Sequence, residues 1–318
     1  MFARVGLIAG DVESVDTRSL LLWDRFAELG AGRDLAAALR LLAQLEAARR
    51  LGLSASRCLE IGRGHRPDVD AAIASARDTD VAARRQGRDL VLCGEQRFVI
   101  NASGSSRVLV RCRSPGDPPA GARWVAVPRD AGGLMLRPAN VPCFPSVSIA
   151  HISFDDCRVS ADFTLAAVEN DVALAERRHL AAAATISALD SVVTAVIDFA
   201  GSRSFQGKTL VDLQVVRHRI ADLCANVEIL RASIDCSRKA FGDGEPDAEH
   251  AVARHVLLLT ARASSIVASC AQLFGGRGYL LDNPAAELLR QTMALGLLTI
   301  PPTATRELAA TAIAGARW

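Results

Sequence analysis

The chain has 318 residues and a mass of 33.7 kDa; half of its residues are hydrophobic, 23% are charged, and the formal net charge is +2. This composition excludes a disordered tail, a collagen-like repeat and a disulfide-stabilised miniprotein, and the length predicts about two domains of material. The near-neutral charge gives no electrostatic footprint for nucleic acid.

No uninterrupted apolar stretch approaches the roughly 18–20 residues that a membrane span needs. The richest candidate, residues 180–197, is broken by Ser187, Asp190 and Ser191. The apolar run that follows Met1 is too short for a secretory signal, whose hydrophobic region has about 7–15 residues. The sequence therefore predicts a cytoplasmic protein with no membrane partner.

The eight cysteines are scattered, with no Cys-x-x-Cys pair and no zinc-like spacing from a histidine. We therefore expect reduced cysteines that are mostly buried. His250 and His255 are five residues apart, which takes them off the shared face that a helical metal pair needs. We predict no metal site.

Residues 1–87 are helical in pattern. Asp34 is a good N-cap for a helix whose apolar face includes Leu35, Leu39 and Leu42, and Gly52 supplies its stop. The residues from 54 to 87 are polar and weakly periodic, which indicates poorly packed helix or connection.

Residues 88–171 change to short apolar runs between Gly, Pro, Ser and Asp clusters, a pattern that is typical of hairpins. We predict a small antiparallel β domain. Its predicted strands are 89–93, 96–101, 107–112, 123–128, 134–137 and 147–154.

Residues 172–318 return to a helical period. The apolar residues with alternating spacing of three and four are Leu213, Val216, Ile220, Leu223, Val227, Leu230 and Ile234. We predict a four-helix antiparallel bundle over residues 173–200, 209–240, 247–273 and 285–316. Strands followed by helices indicate the α+β class, mainly α, and no Gly-x-Gly-x-x-Gly motif follows a strand to support a nicotinamide site.

The segment Gln272–Tyr279 reads Gln-Leu-Phe-Gly-Gly-Arg-Gly-Tyr. Three glycines after a long helix make a tight turn that can cradle an anion, although a turn that only joins two helices explains the segment equally well. The segment resembles the Gln-Ile-x-Gly-Gly-x-Gly-Tyr signature of acyl-CoA dehydrogenases. Three more segments resemble signatures of that family in the same order: 94–102 (Gly-Glu-Gln-Arg-Phe-Val-Ile-Asn-Ala), 154–159 (Phe-Asp-Asp-Cys-Arg-Val) and 199–214.

The resemblance implies an acyl-CoA dehydrogenase-like fold with a reduced N-terminal helical domain, a small antiparallel β-barrel domain and a C-terminal four-helix bundle. In that family FAD lies between subunits, and the bundle of one subunit holds the phosphates and adenine end of its partner's FAD. The positions that the resemblance assigns to FAD binding are Arg203, Gln206, Gln214, Gln272, Gly275, Gly276 and Gly278.

In that family a carboxylate removes an α-proton from the acyl-CoA while hydride moves to the flavin. The usual Glu position falls on Thr299 or Pro302, and neither side chain accepts a proton usefully. Other members place the base one residue before a family Arg, a position that holds Arg177 here if Arg178 is that Arg. Glu176 is the remaining candidate, but it is rotated by about 100° on the helix, which favours a solvent-facing charge.

The side of the site that faces the chain's own flavin also departs from the family. The family's Trp and Thr beside the flavin ring correspond to Phe98 and Ile100, and Ile cannot hydrogen-bond the flavin. The Thr-Glu-Pro-x-Ala-Gly-Ser-Asp loop of the family has no match in residues 74–88. The half-site for the chain's own flavin is altered, whereas the half-site offered to a neighbour is kept.

These features predict the shorter, non-catalytic subunit of a heterotetrameric (α2β2) bacterial acyl-CoA dehydrogenase of lipid or steroid degradation. This subunit clamps the FAD of a longer catalytic homologue, the complex oxidises an acyl-CoA thioester between Cα and Cβ, and the family implies an electron-transfer flavoprotein as acceptor. Two alternatives stay open. One is a homomeric enzyme of this fold with a redox-neutral or oxygenase-type activity in secondary metabolism; the other is a flavin-free structural relative.

Overall fold

A computed structural model describes residues 25–50, 71–74, 81–102, 104–115, 123–165, 171–243, 245, 247–298 and 302–315. Within these residues the chain forms two compact units. One unit contains residues 25–38 and the chain from Asp171 onward, and the other contains the described residues between 39 and 165. The sequence-based division into three domains (1–87, 88–171 and 172–318) stays a prediction.

The N-terminal helical prediction is met over residues 25–50. Residues 25–31 form helix α1, and helix α2 spans Leu35–Arg50. Asp34 caps α2, because its Oδ1 accepts a hydrogen bond from the backbone N of Ala37 at 2.8 Å. The predicted apolar face is buried at Leu35, Leu39, Leu42 and Leu45. Gly52, the predicted stop, lies outside the described residues.

Eight strands in the second unit form one sheet. They are β1 (Ala71–Ala74), β2 (Ala82–Gln86), β3 (Asp89–Ile100), β4 (Arg107–Cys112), β5 (Arg123–Pro128), β6 (Leu134–Pro138), β7 (Ile149–Ser160) and β8 (Thr164–Leu165). Their order is β6-β7-β3-β1-β4-β5-β8, and β2 also pairs with β3. The strands pair antiparallel except for β1 and β4, which run parallel. The sequence predicted a purely antiparallel sheet, and this one parallel pair departs from that prediction.

Two strands were missed from the sequence. The prediction of poorly packed helix or connection is wrong for β1 and β2. In β2 the side chains of Arg84, Arg85 and Gln86 are exposed and only Ala83 is fully buried. The alternation of apolar and polar residues that predicts a strand is therefore almost absent from its sequence. The strand is held instead by backbone pairing along β3 and by Ala83 N, which donates to the Arg113 carbonyl at 2.7 Å.

The two strands predicted at 89–93 and 96–101 are a single strand, β3, with irregular pairing to β7. Register shifts fall between Leu92 and Gly94 and between Gln96 and Val99. At the second shift β3 carries one extra residue, and Phe98 there has a φ of 53°. The apparent gap between two predicted strands is therefore a bulged stretch of one strand.

The core of this unit is formed by side chains on one face of the sheet. It includes Leu92, Val99, Val110, Val125, Val127, Ile152 and Phe154. Gln96 lies opposite Ile152 in the β3–β7 pairing and is only 1% exposed. Neither its side-chain N nor its side-chain O has a hydrogen-bond partner among the described residues.

The C-terminal part of the other unit is a helical bundle. Its helices are α3 (Asp171–Ser202), α4 (Gln214–Gly242), α5 (Ala248–Leu273), α6 (Pro284–Leu298) and α7 (Pro302–Gly315). A small hairpin, β9 (Ser204–Phe205) and β10 (Lys208–Thr209), connects α3 to α4, and a 3-10 turn at Gly275–Tyr279 connects α5 to α6. The helix predicted over 285–316 is two helices, because Pro302 is the first residue of α7, a position where proline starts a helix rather than continues one.

The predicted apolar seam of α4 is the face that packs in the bundle. Leu223, Val227, Leu230 and Ile234 are buried, and the earlier members of the seam are partly buried. The predicted start at 209 is five residues early, since residues 209–213 complete the hairpin and a 3-10 turn.

Two bundle helices pass a length-and-composition test for membrane spans. Residues Arg177–Ser202 have a mean hydropathy of 1.9 over their richest window, and Ala248–Leu273 have 1.5. This test averages hydropathy over a window, so it does not require the uninterrupted apolar stretch that the sequence lacks. Core helices pass the same test, and 67% of the first window and 33% of the second are buried inside the structure.

Candidate functional site

Arg203 lies at the junction between helix α3 and the β9–β10 hairpin. Its backbone N donates to the Phe199 carbonyl, and its carbonyl accepts from Leu210 N, each at 2.9 Å. Gln206 and Gly207 both have positive φ, 49° and 78°, as a two-residue turn of the type I′ class requires. The backbone at Arg203 is therefore fixed, while its exposed guanidinium has no hydrogen-bond or ion-pair partner among the described residues.

A second set of local hydrogen bonds fixes the backbone that follows the hairpin. Thr209 donates from its backbone N at 2.9 Å and from its hydroxyl at 2.7 Å to Oδ2 of Asp212. These hydrogen bonds from Thr209 lower the pKa of Asp212, which keeps the carboxylate charged. Arg217 donates to the Asp212 carbonyl at 2.8 Å, so the hairpin is tied to the first turn of α4.

The glycine turn follows α5 directly. Gly275 has a φ of 61°, a conformation that glycine adopts without strain, and it opens the 3-10 turn. A Cβ at Gly275 or Gly276 would meet nothing within 4 Å, so the space above these two residues is open. Backbone in this state can be approached closely by a ligand.

Gly278, in the same turn, has a different physical role. It is buried, and a Cβ there would lie 2.2 Å from the backbone oxygen of Ala271. Glycine is required at this position because the turn folds back onto α5, not because a ligand needs access. Its assignment to FAD binding stays a prediction, but its packing alone accounts for the residue.

A cavity of about 460 Å³ lies where the glycine turn and the end of α3 meet. It is lined by Phe199, Arg203, Leu210, Leu273, Phe274, Gly275, Gly276 and Arg277. The ring centroids of Phe199 and Phe274 are 5.2 Å apart, and the Arg277 guanidinium carbon is 6.0 Å from the Phe199 centroid. The aromatic pair gives the cavity an apolar wall, and the two arginines give it positive charge.

Among the described residues, Arg203 and Arg277 have no carboxylate within salt-bridge distance. Two guanidinium groups and open glycine backbone are the donor set that suits a diphosphate, since guanidinium matches phosphate oxygens bidentately. The cavity therefore fits the pyrophosphate part of FAD.

The other predicted FAD residues are distributed around this cavity rather than in it. Gln206 is exposed at the hairpin tip, and Gln214 is the exposed first residue of α4. Gln272 lines a separate groove between α4 and α5. Of the predicted set, the structure brings together Arg203, Gly275 and Gly276.

Arg277 and the Phe199–Phe274 pair were missed by sequence reasoning. Arg277 occupies the variable position of the glycine signature, so comparison with the signature gives it no weight. A signal was available nevertheless, because an arginine inside a glycine-rich turn adds a positive charge to exposed backbone donors.

The start of α3, where the alternative base was sought, is buried and polar. The side chain of Glu176 is outside the described set, so its candidacy as a base stays a prediction. Arg178 and His179 are 2% and 5% exposed. Burial lowers the pKa of His179 to about 3, although a hydrogen bond to the Ile234 carbonyl opposes the shift, and the charges of Arg238 and His255 lower it further.

Of the two positions that match the usual Glu, Thr299 lies outside the described residues and Pro302 begins α7. Pro302 has no group that accepts a proton, as the sequence predicts. Among the described residues, no group of three or more His, Cys, Asp or Glu side chains is arranged to hold a metal ion.

The two β3 positions that correspond to the family's flavin-facing residues have different surroundings. Phe98 lies in the bulge, with its ring edge-on to His151 at a centroid distance of 5.1 Å and an interplanar angle of 70°. Ile100 is only 1% exposed, so its side chain is buried within the chain. An aliphatic, buried Ile100 supplies no hydrogen bond to a flavin ring.

Comparison with known sequences agrees with this geometry. Residues 170–299 match the family described as acyl-CoA dehydrogenase, C-terminal domain. Among curated proteins, the mitochondrial long-chain specific acyl-CoA dehydrogenase of Mus musculus is 26% identical over 215 residues, which cover 64% of this chain and 50% of the relative. The chain thus spans about half the length of the curated relatives that it matches.

Solved structures extend the similarity over most of the chain. The FAD complex of PigA matches with a TM-score of 0.80 at 18% identity, covering 92% of this chain and 82% of PigA. Butyryl-CoA dehydrogenase from Megasphaera elsdenii matches with a TM-score of 0.74 at 16% identity, covering 91% and 80%. At this identity the structures establish the fold, which is the predicted one. The chain therefore has the fold of the acyl-CoA dehydrogenases, and its residues 170–299 match the C-terminal domain of that family.

Proposed function

We propose that this chain is the non-catalytic subunit of a cytoplasmic, FAD-dependent acyl-CoA dehydrogenase complex. It binds the pyrophosphate of the FAD that a longer catalytic homologue holds across a subunit interface. The complex removes two hydrogens from an acyl-CoA thioester between Cα and Cβ, and an electron-transfer flavoprotein is the proposed acceptor. The substrate that we propose is a bulky, steroid-type acyl-CoA.

The observation that carries the proposal is the cavity between Arg203, Arg277 and the glycine turn. Its two guanidinium groups have no acidic partner among the described residues, so they are available to bind a negatively charged ligand. Gly275 and Gly276 leave room for phosphate oxygens to reach the backbone. Phe199 and Phe274 form an aromatic wall beside these donors, which suits a dinucleotide better than a free ion.

When bound, FAD supplies the hydride acceptor of the reaction. The residues of this chain bind and orient it. The hairpin fixes the backbone of Arg203, and the Arg277 guanidinium lies over the Phe199 ring. These two arginines would hold the phosphates of FAD.

A partner that brings the catalytic base is proposed because this chain offers none at the usual position. Pro302 has no proton acceptor, and His179 is neutral at physiological pH and buried in the bundle. Catalysis of proton removal therefore falls to the longer homologue.

The test is to produce the chain alone and together with a longer homologue that retains the Glu. Alone, it should carry substoichiometric flavin in its visible spectrum; together, the purified complex should contain one FAD per heterodimer. Arg203→Ala should weaken FAD binding by about 10- to 100-fold, since hydrogen bonds to charged groups contribute about 1.5–3 kcal/mol. Arg306→Ala, which removes an exposed charge from α7, is the matched control.

Three results would overturn the proposal. A homomer with stoichiometric FAD and turnover of acyl-CoA would make the chain a self-sufficient enzyme. A complex that keeps full FAD occupancy with Arg203→Ala and Arg277→Ala combined would remove the cavity from the flavin site. A chain that binds no flavin in either preparation would support the flavin-free relative instead.

A further inference from the structure

The carboxylate of Asp212 lies in the connection between the β9–β10 hairpin and α4. Asp212 is the last residue of the 3-10 turn Leu210–Asp212, and its Oδ2 accepts two hydrogen bonds from Thr209. One comes from the backbone N at 2.9 Å and one from the hydroxyl at 2.7 Å. Hydrogen bonds to an ionised acceptor are roughly twice as strong as neutral ones. Asp212 therefore holds the last residue of the hairpin against the turn that follows it.

The residues that Asp212 holds are in turn bonded to Arg203. Thr209 is paired with Ser204, the residue that directly follows Arg203, in the hairpin. Leu210, which directly follows Thr209, donates its backbone N–H to the Arg203 carbonyl at 2.9 Å. The Asp212 carboxylate is thus connected to the Arg203 backbone through two successive residues, Thr209 and Leu210.

The cavity is lined by Leu210 and Arg203 but not by Asp212. Asp212 therefore does not touch a ligand that occupies the cavity, and its effect on such a ligand has to pass through the two lining residues. A residue that acts in this way is a positioning residue.

The backbone of Asp212 is anchored on the side of α4. Arg217 donates a hydrogen bond from its side chain to the Asp212 carbonyl at 2.8 Å, and Leu213 N donates to the Leu210 carbonyl at 3.1 Å. The Asp212 carboxylate forms no ion pair within the part of the chain that the structure describes. Its hydrogen bonds are made to Thr209, so it connects the start of α4 to the hairpin.

We propose that Asp212 is a positioning residue for the FAD site, whose carboxylate keeps the Arg203 backbone at the edge of the cavity before FAD binds. The inference rests on the proposed function, because it takes the cavity as the site of the FAD pyrophosphate. Backbone that is ordered before binding loses no conformational freedom on binding, so the affinity for the ligand is higher.

Hydrogen exchange of the complex without FAD tests the positioning itself. Asp212→Ala should raise the exchange rate of the Leu210 amide by about 10-fold, because its hydrogen bond to the Arg203 carbonyl opens more often. Mass spectrometry of peptides that contain residues 204–213 measures this rate. Glu228→Ala, which removes an exposed carboxylate from α4, is the matched control and should leave the rate unchanged. Unchanged exchange in Asp212→Ala would overturn the proposal.

Titration of the FAD-depleted complex with FAD, followed by flavin fluorescence, measures the consequence for binding. Asp212→Ala should raise the Kd by about 10-fold, because about one residue of backbone then has to be ordered on binding. Asp212→Asn keeps an acceptor oxygen but loses the charge, so it should raise the Kd by only about 3-fold. An Asp212→Ala complex that binds FAD as tightly as the wild type would contradict the proposal.

The double variant Arg203→Ala/Asp212→Ala separates positioning from a general weakening of the bundle. If Asp212 acts through Arg203, its removal has no further effect once the Arg203 side chain is absent. The Kd of the double variant should then equal that of Arg203→Ala alone. A further rise of about 10-fold would show that Asp212 acts by another route, and the positioning role would be wrong.

Failure of the proposed function gives a different pattern. If Arg203→Ala leaves the Kd for FAD unchanged, the cavity is not the flavin site, and the inference falls with the proposed function. If Arg203→Ala weakens FAD binding and Asp212→Ala does not, the cavity remains the flavin site and only the role of Asp212 is wrong.

Discussion

The two ends of the helical bundle differ in whether their polar groups are paired within the chain. At the end where α3 and α5 begin, polar side chains are buried and bonded to their own chain. The Ile234 carbonyl accepts from Ser237 at 2.8 Å and from His179, and Ser233 hydrogen-bonds the His255 ring. At the other end, Arg203, Arg277 and the glycine backbone are open and lack acidic partners among the described residues.

This difference separates the polar groups that stabilise the fold from the polar groups that are available to bind a ligand. A buried polar group that is paired within the chain specifies how helices pack, and its loss destabilises the fold. An exposed charge contributes little to stability and is available to bind a ligand. The family signatures coincide with the second end, where they contribute Arg203 and the glycines.

The largest expected effect is a loss of stability at low pH, caused by His179 at the end of the bundle where polar groups are paired. His179 is neutral in the folded chain down to a pKa of about 3, whereas the unfolded chain takes up a proton below 6.5. The free energy of unfolding should therefore fall as pH drops, by about 2.3 kcal/mol between pH 6.5 and 4.5, with a slope that approaches about 1.4 kcal/mol per pH unit. Burial also lowers the pKa of His255, which adds in the same direction.

The variant that isolates this effect is His179→Gln, whose amide can still donate to the Ile234 carbonyl. Urea unfolding at several pH values should give a shallower curve for the variant than for the wild type. Parallel curves would mean that His179 is not the titrating group.

A second prediction concerns Gly278, the buried glycine of the turn at the open end of the bundle. Gly278→Ala should destabilise the chain by about 2 kcal/mol, because the added Cβ would lie 2.2 Å from the Ala271 oxygen and the turn would have to move away from α5. Denaturant unfolding measures the loss. An unchanged midpoint would show that the turn is not held against α5.

The third prediction compares the bundle with the sheet, where a polar group is buried but unpaired. Gln96→Met should raise the free energy of unfolding by about 1–2 kcal/mol, because a buried amide without hydrogen bonds is replaced by an apolar group of similar size. Gln214→Met, at an exposed position, is the control and should change stability by less than about 0.5 kcal/mol. If Gln96→Met destabilises the chain, the amide has a partner in the native protein.

The smallest expected change in stability is at Gly276. Gly276→Ala should alter the free energy of unfolding by less than about 0.5 kcal/mol, since its Cβ meets nothing within 4 Å. The same Cβ enters the cavity, so FAD content of the purified complex should fall. Full FAD content with this variant would place the phosphates elsewhere; together with Gly278→Ala, the result separates ligand access from packing within one turn.

Elements with a strong local signal were predictable. The Asp34 cap and the apolar face of α2 follow from residue type and spacing, and the bundle helices follow from the period of their apolar residues. The strands at 107–112 and 123–128 were predicted at their observed bounds, because short apolar runs between turn residues define both ends.

Elements held by distant backbone were not predictable in this way. β2 has a single buried side chain, so its existence depends on pairing with β3 and on the Arg113 carbonyl. The φ of Phe98 and the burial of Gln96 both depend on the register between β3 and β7, which no local pattern encodes.

For the candidate site, the sequence by itself determined which residue types are present and in what order: an Arg before a hairpin, a glycine turn after a long helix, and no carboxylate at the usual base position. These follow from local chemistry and from resemblance. Only the tertiary structure decided that Arg203, Arg277 and the two open glycines share one cavity, that Gln272 faces a different groove, and that Gly278 is a packing residue. The reason is that α3 and α5 are separated by about 45 residues of chain, and the side-by-side packing of whole helices brings their ends together.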